Sequence, residues 1–130
     1  MTQVSTSRAF ALGSLLVLTT AGAVRAEDAV QASPDTHKIK LENERVRVLD
    51  IRVPAGGRVK MHTHPDGYLT VAFTDCRIKF AFADGKTTEA MIHAGDVTWS
   101  GPVTHSGENL GTSECHLLNV EPKASHEQKK

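Results

Sequence analysis

Short segments in which apolar and polar residues alternate run through the chain from His37 onward. A period of two places the apolar side chains on one face of an extended strand. No segment holds a 3.6-residue apolar stripe long enough for a stable helix. The pattern predicts nine strands, at Lys38–Leu41, Arg45–Val53, Arg58–His62, Tyr68–Phe73, Arg77–Ala83, Thr87–His93, Asp96–Ser100, Thr104–Asn109 and Glu114–Val120.

Residues that favour turns separate the predicted strands, and Asp84-Gly85 is the clearest pair. It predicts a hairpin closed by a type I′ turn, in which both central residues have positive φ. Many short strands at a spacing of roughly ten residues are typical of a sandwich or a closed barrel. The sequence therefore predicts an all-β fold in a single domain.

The length and the charge of the chain restrict the classes of function that we expect for it. The chain has 130 residues, with 15 Lys and Arg against 15 Asp and Glu, and its formal net charge is zero. This length suits one compact domain. Binding nucleic acid through a broad basic face needs clustered Lys and Arg, which the chain lacks. We therefore expect a small-molecule ligand rather than nucleic acid.

The amino-terminal segment has the composition of a secretory signal peptide. Met1 to Arg8 carries one positive charge, Ala9 to Val24 is apolar or small, and Ala26 ends a run that signal peptidase accepts. A membrane anchor is the alternative, but this run is shorter than the roughly 20 apolar residues that a span needs. The prediction is cleavage after Ala26 and a periplasmic or secreted protein that leaves the membrane.

Polar, unpatterned sequence flanks the predicted domain on both sides. Residues 27–36 are predicted to form a flexible leader, 37–122 the domain and 123–130 a disordered tail. Cys76 and Cys115 both belong to the domain. Export favours a disulfide between them, whereas buried free thiols or thiolate ligands are the alternatives, and the sequence leaves the choice open.

Histidine placement gives the strongest chemical signal. His62 and His64 lie two residues apart near the end of a predicted strand, so both imidazoles project from one face if the strand continues. Such a pair suits a metal ion with metal–nitrogen bonds of about 2.0–2.1 Å. A third ligand must come from elsewhere, and His105 is the best candidate. The remaining histidines are interpreted as surface or satisfied core residues: His37, His93, His116 and His126.

Two segments resemble the motifs of the cupin superfamily, whose members are small jelly-roll β-barrels. Gly56 lies five residues before His62-Thr63-His64, as in the first motif. The second motif is represented by Gly95, Pro102 and His105, with Asn109 four residues after the histidine. The resemblance extends from about residue 41 to residue 121. It implies a cupin-type double-stranded β-helix that belongs to the RmlC-like class.

The sequence departs from the cupin pattern at one expected ligand. The glutamate that commonly follows the histidine pair should fall at position 68 or 69, where this chain has Tyr68 and Leu69. The site therefore resembles the three-histidine variant of the family, with His62, His64 and His105 as metal ligands. Asp66 and Tyr68 are candidate replacements for the glutamate, although a phenol with an ordinary pKa near 10 is a reluctant ligand.

The identity of the metal and the reaction are expectations drawn from the ligand set and from the resemblance. Three imidazoles accept one divalent ion among Fe, Mn, Ni, Cu and Zn. The resemblance implies an oxygen-dependent dioxygenase that cleaves a compact enol or diketone, with Tyr68 or Glu108 as the catalytic residue that handles a substrate proton. Glu108 and Asn109 are also candidates for holding the turn or orienting His105.

The sequence is also compatible with other functions. One alternative is a non-catalytic cupin that binds or senses a metal or small ligand, and another is a barrel without metal. The resemblance also makes a homodimer an expectation. Tyr68, Trp99 and Phe73 either line a pocket or belong to the plain core, which is the commoner use of aromatic residues in a small barrel.

Overall fold

The computed structural model describes residues 26–124. The predicted signal peptide up to residue 25 and residues 125–130 of the predicted tail, including His126, lie outside the described residues. Within this range the elements are β1 (Glu27–Asp28), α1 (Ala29–Ala32), β2 (His37–Glu42), β3 (Val46–Val53), β4 (Arg58–His64), β5 (Tyr68–Ala72), β6 (Cys76–Phe82), β7 (Thr87–Ile92), β8 (Val97–Ser100), β9 (Val103–Asn109) and β10 (Cys115–Pro122).

The strands form two five-stranded sheets, which confirms the all-β prediction. One sheet has the order β1-β4-β9-β6-β7 and the other the order β2-β3-β10-β5-β8. Neighbours are antiparallel except β1 and β4, which are parallel. All nine predicted strands are present, with ends shifted by at most two residues. The alternation was a reliable signal because strands such as β5 and β10 bury every second residue.

An apolar core lies between the two sheets. Leu49, Ile51 and Leu117 project from one sheet and pack with Val59 and Ile78 from the other. Leu49 is fully buried. Burial of these side chains is the main force that holds the two sheets together, because each contributes roughly 1.5–3 kcal/mol when removed from water.

A disulfide joins the two sheets beside this core. It links Cys76 at the start of β6 to Cys115 at the start of β10, and both residues are buried. The choice that the sequence left open is thus settled in favour of the bridge. Neither sulfur is available as a thiolate ligand for a metal.

Residues 27–36 differ from the predicted flexible leader. They form β1 and the short helix α1, and Ala29 and Ala32 are buried. The Asp28 carboxylate caps the helix by accepting a hydrogen bond from the Val30 N–H at 3.0 Å. A four-residue helix leaves no periodic signal in the sequence, and its order comes from packing against the sheet.

The Asp84-Gly85 hairpin is confirmed, but its predicted turn type is wrong. Gly85 has a φ of 85°, whereas no residue other than glycine in the described part of the chain has positive φ. The Gly85 N–H donates to the Phe82 carbonyl at 2.9 Å. This geometry matches a type I turn followed by a glycine bulge, the next commonest way to close a hairpin after the two-residue turns.

Trp99 and Phe73 occupy neither the core nor a pocket. Trp99 is 60% exposed and Phe73 is 50% exposed. Trp99 pairs with Leu69 across β8 and β5 at outward positions, while Tyr68 and Ser100 pair at inward positions. The strand register therefore decides against the commoner placement of Trp99 in the core.

None of the helices in residues 26–124 is long and apolar enough to cross a membrane.

Candidate metal centre

Strands β4 and β9 bring the three predicted histidines together inside the barrel. His62 lies directly opposite His105 in the antiparallel pair, and His64 lies two residues further along β4. All three are buried, with exposures of 3%, 6% and 1% for His62, His105 and His64. One nitrogen from each residue lies within 4.8 Å of the nitrogens of the other two. Strand β4 continues through both of its histidines, so their side chains share one face.

Hydrogen bonds fix which ring nitrogen of His62 and His64 faces the centre of the group. His62 Nδ1 lies 2.7 Å from the Lys60 carbonyl oxygen, and His64 Nδ1 lies 2.6 Å from Glu121 Oε1. Both oxygens only accept hydrogen bonds, so each Nδ1 carries the proton and donates it. The Nε2 atoms of both rings are then left with free lone pairs, the form in which an imidazole binds a metal.

The two Nε2 atoms fit a shared cation. They lie 3.0 Å apart, although neither carries a proton to donate in the tautomers just assigned. Two lone pairs this close together repel each other unless both are directed at a shared positive centre. Two nitrogens bound to one ion at about 2.1 Å with an angle near 90° are separated by about 3.0 Å. The donor set therefore suits a transition-metal ion.

Burial favours the neutral form of His62 and His105. Together with the neighbouring histidines, it lowers the pKa of His105 to about 3. Burial also lowers the pKa of His62, although the Lys60 carbonyl opposes this shift. The Phe80 ring stacks on His105 with the planes 5° apart and the centroids 5.3 Å apart. Neutral imidazole is the state that a metal requires.

A charged network lies behind His64. Glu121 Oε2 accepts a hydrogen bond from Arg47 Nε at 2.7 Å, and Arg47 also forms an ion pair with Asp28. Burial opposes the ionisation of Glu121, but the hydrogen bonds from His64 and Arg47 outweigh it and lower its pKa. The carboxylate is therefore ionised at neutral pH. It accepts the hydrogen bond from His64 Nδ1 and holds the ring in place.

A cavity of about 310 Å³ opens beside the histidine group, between the two sheets. Its apolar wall includes Ile51, Val59 and Ile78, while His62 and His105 contribute the imidazole edge. This is the size and composition of a small-molecule site, in which a few polar groups orient a ligand among apolar side chains.

The other residues that the sequence proposed for the site lie in different places. Tyr68 is buried and its ring lies 4.1 Å from that of His64, centroid to centroid. Glu108 borders the cavity, but its carboxylate is bound to Arg58 at 3.2 Å. Asp66 is exposed in a turn and is not part of the three-histidine group.

Asn109 holds a turn, which is one of the two roles that the sequence suggested for it. Its side-chain Nδ2 donates to three backbone carbonyls, those of Val53, Pro54 and Ser113, and its Oδ1 accepts from the Gly111 N–H. These bonds tie the loop after β9 to the turn after β3. They leave no role for Asn109 in orienting His105.

Sequence reasoning did not single out three residues around the site, Glu121, Arg47 and Asp28. His37 fits its interpretation as a core histidine, because it is buried and its Nδ1 lies 2.9 Å from Thr36 Oγ1. Nothing in the sequence indicated that its ring lies 5.5 Å from that of His62. Glu121 had one usable signal, because it falls on the same alternating face of β10 as Cys115 and is a charged residue at an inward position. His93 and His116, the other histidines among residues 26–124, also fit their interpretation, since His93 is exposed and His116 is bonded to Asp50 at 2.6 Å.

Comparison with known proteins identifies the fold. No protein-family model matches the chain, and no curated protein matches it significantly. A cupin domain from Bordetella pertussis Tohama I has 24% identity and a TM-score of 0.64, and the match covers 79% of this chain and 100% of that one. A double-stranded β-helix protein from Klebsiella pneumoniae has 22% identity and a TM-score of 0.53, with 65% and 72% of the two chains covered.

A third solved structure supports the same conclusion. An RmlC-like cupin family protein from Methanocaldococcus jannaschii has 11% identity and a TM-score of 0.54, with 66% of this chain and 77% of that one covered. These likenesses show that the chain has the cupin fold, the double-stranded β-helix that the two motifs implied.

Proposed function

We propose that this cupin-fold protein holds one divalent transition-metal ion, among Fe, Mn, Ni, Cu and Zn, through His62, His64 and His105. The observation that carries the proposal is the 3.0 Å approach of two Nε2 atoms whose Nδ1 protons are both engaged elsewhere. A neutral three-imidazole set of this kind accepts any of these ions.

Metal content tests this proposal directly. The protein purified without a His tag should contain about one equivalent of metal, and the His62→Ala/His64→Ala variant less than a tenth. His93→Ala is the matched control, because His93 is exposed and is not part of the three-histidine group. Metal content below a tenth of an equivalent in the parent protein, after loading with each ion in turn, would contradict the proposal.

The reaction that we propose is oxygen-dependent cleavage of a compact enol or diketone-like molecule. When held by His62, His64 and His105, the metal would supply Lewis-acid activation of the substrate or of oxygen. The chain's own contribution is the cavity of about 310 Å³, whose apolar wall excludes water and whose imidazole edge sets where the substrate's oxygen atoms lie. A planar molecule of about ten non-hydrogen atoms is the scale that such a cavity suits.

Tyr68 and Glu108 are the candidates for handling the substrate proton. Burial raises the pKa of Tyr68, so its hydroxyl keeps its proton at neutral pH and serves as a hydrogen-bond donor. Glu108 lies at the cavity border with its carboxylate bound to Arg58, a position suited to exchanging protons with solvent. Tyr68→Phe is expected to lower turnover by about 10²-fold while metal content is unchanged.

Oxygen consumption separates this enzyme from a non-catalytic binding or sensing cupin. The metal-loaded protein is offered a panel of small enols and diketones, and both dissolved oxygen and ligand uptake are measured. Consumption that disappears in His62→Ala supports the dioxygenase. Uptake without consumption supports the binding protein.

Export to the periplasm or the medium is also part of the proposal. It is supported by the composition of residues 1–26 and by the Cys76–Cys115 bridge, because disulfides persist mainly in oxidising compartments. Mass spectrometry of the protein recovered from the host's periplasm should give a chain that begins at Glu27. Recovery of the full-length chain only from the cytoplasm would contradict export.

We also propose that the protein forms a homodimer. The outer face of the sheet that contains β8 exposes Val97 (61%) and Trp99 (60%) beside the outward residues Leu69 and Val71. Exposed apolar patches of this kind are typical of interaction surfaces. Light scattering should give twice the chain mass, and Trp99→Ser should shift the protein toward monomer. A monomer at every concentration would contradict the dimer.

A further inference from the structure

The segment Glu27–Ser33 lies against the strand that carries the histidine pair. Strand β1 pairs in parallel with β4, with Glu27 opposite His62 and Asp28 opposite Thr63. Ala29 is fully buried and belongs to the main apolar core. The segment is therefore fixed at the edge of the sheet, next to the candidate metal centre.

A chain of charged contacts connects this segment to His64. Asp28 forms an ion pair with Arg47, Arg47 Nε donates to Glu121 Oε2 at 2.7 Å, and Glu121 Oε1 accepts from His64 Nδ1 at 2.6 Å. The guanidinium is planar and carries several donors in a fixed geometry, so holding it from two sides fixes the orientation of the Glu121 carboxylate. That carboxylate in turn fixes the ring of His64.

A second chain of contacts connects the same segment to His62. Ser33 Oγ accepts a hydrogen bond from the Lys60 N–H at 2.9 Å, and the Lys60 carbonyl accepts from His62 Nδ1 at 2.7 Å. The register of β4 against β9 shifts between Val59 and His62, so Lys60 lies where the regular ladder is interrupted. The Ser33 hydroxyl supplies the hydrogen-bond partner that the backbone of Lys60 lacks at this irregularity.

We infer that residues 27–33 belong to the metal centre, in which Asp28 and Ser33 act as positioning residues for His64 and His62. Asp28 acts on His64 through the side chains of Arg47 and Glu121, whereas Ser33 acts on His62 through the backbone of Lys60. Both keep Nε2 facing the shared point. The inference rests on the proposed metal function. The inference goes beyond that function, because it assigns a role to a segment that touches no metal-ligand atom directly.

Two substitutions test the inference with little other disturbance. Asp28→Asn weakens the ion pair with Arg47 but keeps an effective helix cap, because Asn caps helices as well as Asp. Ser33→Ala removes the hydroxyl, and Ser33→Thr restores it. Asp35→Asn is the control, because Asp35 is exposed and forms no ion pair with any residue between 26 and 124.

The probe is Co²⁺, and the readouts are its dissociation constant and its visible absorption spectrum. Removing a direct partner of a metal-bound histidine typically weakens metal binding by about 10- to 100-fold. We therefore expect a smaller effect, about 3- to 10-fold, for Ser33→Ala, one step further away, and about 3-fold for Asp28→Asn, two steps further away. Their Co²⁺ bands should also move, because the ring orientations change. Ser33→Thr and Asp35→Asn should differ from the parent protein by less than about twofold.

The outcomes separate the inference from the proposed function. Parent-like Co²⁺ affinity and spectrum in both Asp28→Asn and Ser33→Ala overturn the inference alone. Absence of Co²⁺ binding in the parent protein overturns the proposed function together with the inference. Thermal unfolding of the metal-free variants is measured alongside, and weaker binding with an unchanged unfolding temperature supports a positioning role over a general loss of folding.

Discussion

The inward face of β10 passes through two different environments. At its disulfide end, Cys115 and Leu117 project into an apolar core, and at its histidine end, Asn119 and Glu121 project toward polar partners. All four residues are equally buried, with exposures between 1% and 8%. One strand with one alternating pattern thus builds both a stabilising region and a functional one.

The comparison shows how the chain separates stability from function. Burying apolar side chains is favourable by itself, whereas burying polar groups costs free energy unless each is hydrogen-bonded. At the histidine end the buried polar side chains are held by hydrogen bonds, apart from the two Nε2 atoms that face the shared point. The buried polar residues at the histidine end therefore contribute little to the stability of the fold. The residues at the disulfide end contribute most of it.

Removing the disulfide should give the largest loss of stability. The bridge closes a loop between residues 39 positions apart, for which the chain-entropy model gives about 4 kcal/mol. Urea unfolding of Cys76→Ala/Cys115→Ala should show a loss of this size. Metal content should remain as in the parent protein, since the bridge lies at the opposite end of β10. Loss of metal from a variant that is still folded would contradict the separation of the two ends.

Leu117→Ala should have the next largest effect. Leu117 is 8% exposed and contacts the core of both sheets, so its truncation leaves a cavity and costs about 3 kcal/mol. Leu118→Ala is the matched control, because the next residue on the same strand projects outward and is half-buried. It should cost about 1 kcal/mol or less. Equal losses in the two variants would show that the inward face of β10 does not carry the core.

Acid should destabilise the metal-free protein through the histidine end. Burial lowers the pKa of His37 to about 4 and of His105 to about 3, while unfolded histidine takes up its proton near pH 6.5. The unfolded state therefore binds more protons below pH 6.5. The stability is complete above that pH and falls as the pH decreases toward 4, by about 2 kcal/mol per histidine at pH 5.

The pH effect is measured by urea unfolding with chelator present at pH 7 and pH 5. In His105→Phe the decrease between these two values should be smaller, because one buried titrating group is gone. His93→Gln should leave the decrease unchanged, since His93 is exposed. A stability that does not change between pH 7 and pH 5 would contradict the assignment of neutral buried imidazoles.

The sequence predicted the strands and the histidine group better than it predicted the support around them. Alternation fixes the face of each residue, so the spacing of His62 and His64 was sufficient to place both rings together. The partners of these rings come from other strands, and sequence spacing carries no information on which strands become neighbours. Glu121 lies 57 residues from His64, and only the sheet topology brings them together.

Predictions made from local composition were wrong where tertiary contacts determine the structure. Residues 27–36 are polar and lack periodicity, yet the burial of Ala29 and the ion pair of Asp28 fix them against β4. Trp99 is a large apolar residue on an alternating strand, but the register of β8 with β5 turns it outward. In both cases the deciding term is a contact between residues distant in sequence.

Replacing the polar pair Thr70 and Asn119 should have the smallest effect on stability. Thr70 Oγ1 donates to Asn119 Oδ1 at 2.9 Å in the buried middle of the sheet. Thr70→Val alone leaves the amide oxygen without this donor and should cost about 1–2 kcal/mol. Thr70→Val/Asn119→Leu removes both partners and should lie within about 0.5 kcal/mol of the parent protein, since apolar replacement of a whole pair is nearly neutral. Urea unfolding decides between these outcomes. If the double variant loses more than the single one, the polar residues at the histidine end contribute stability of their own, and the division between the two ends of β10 does not hold.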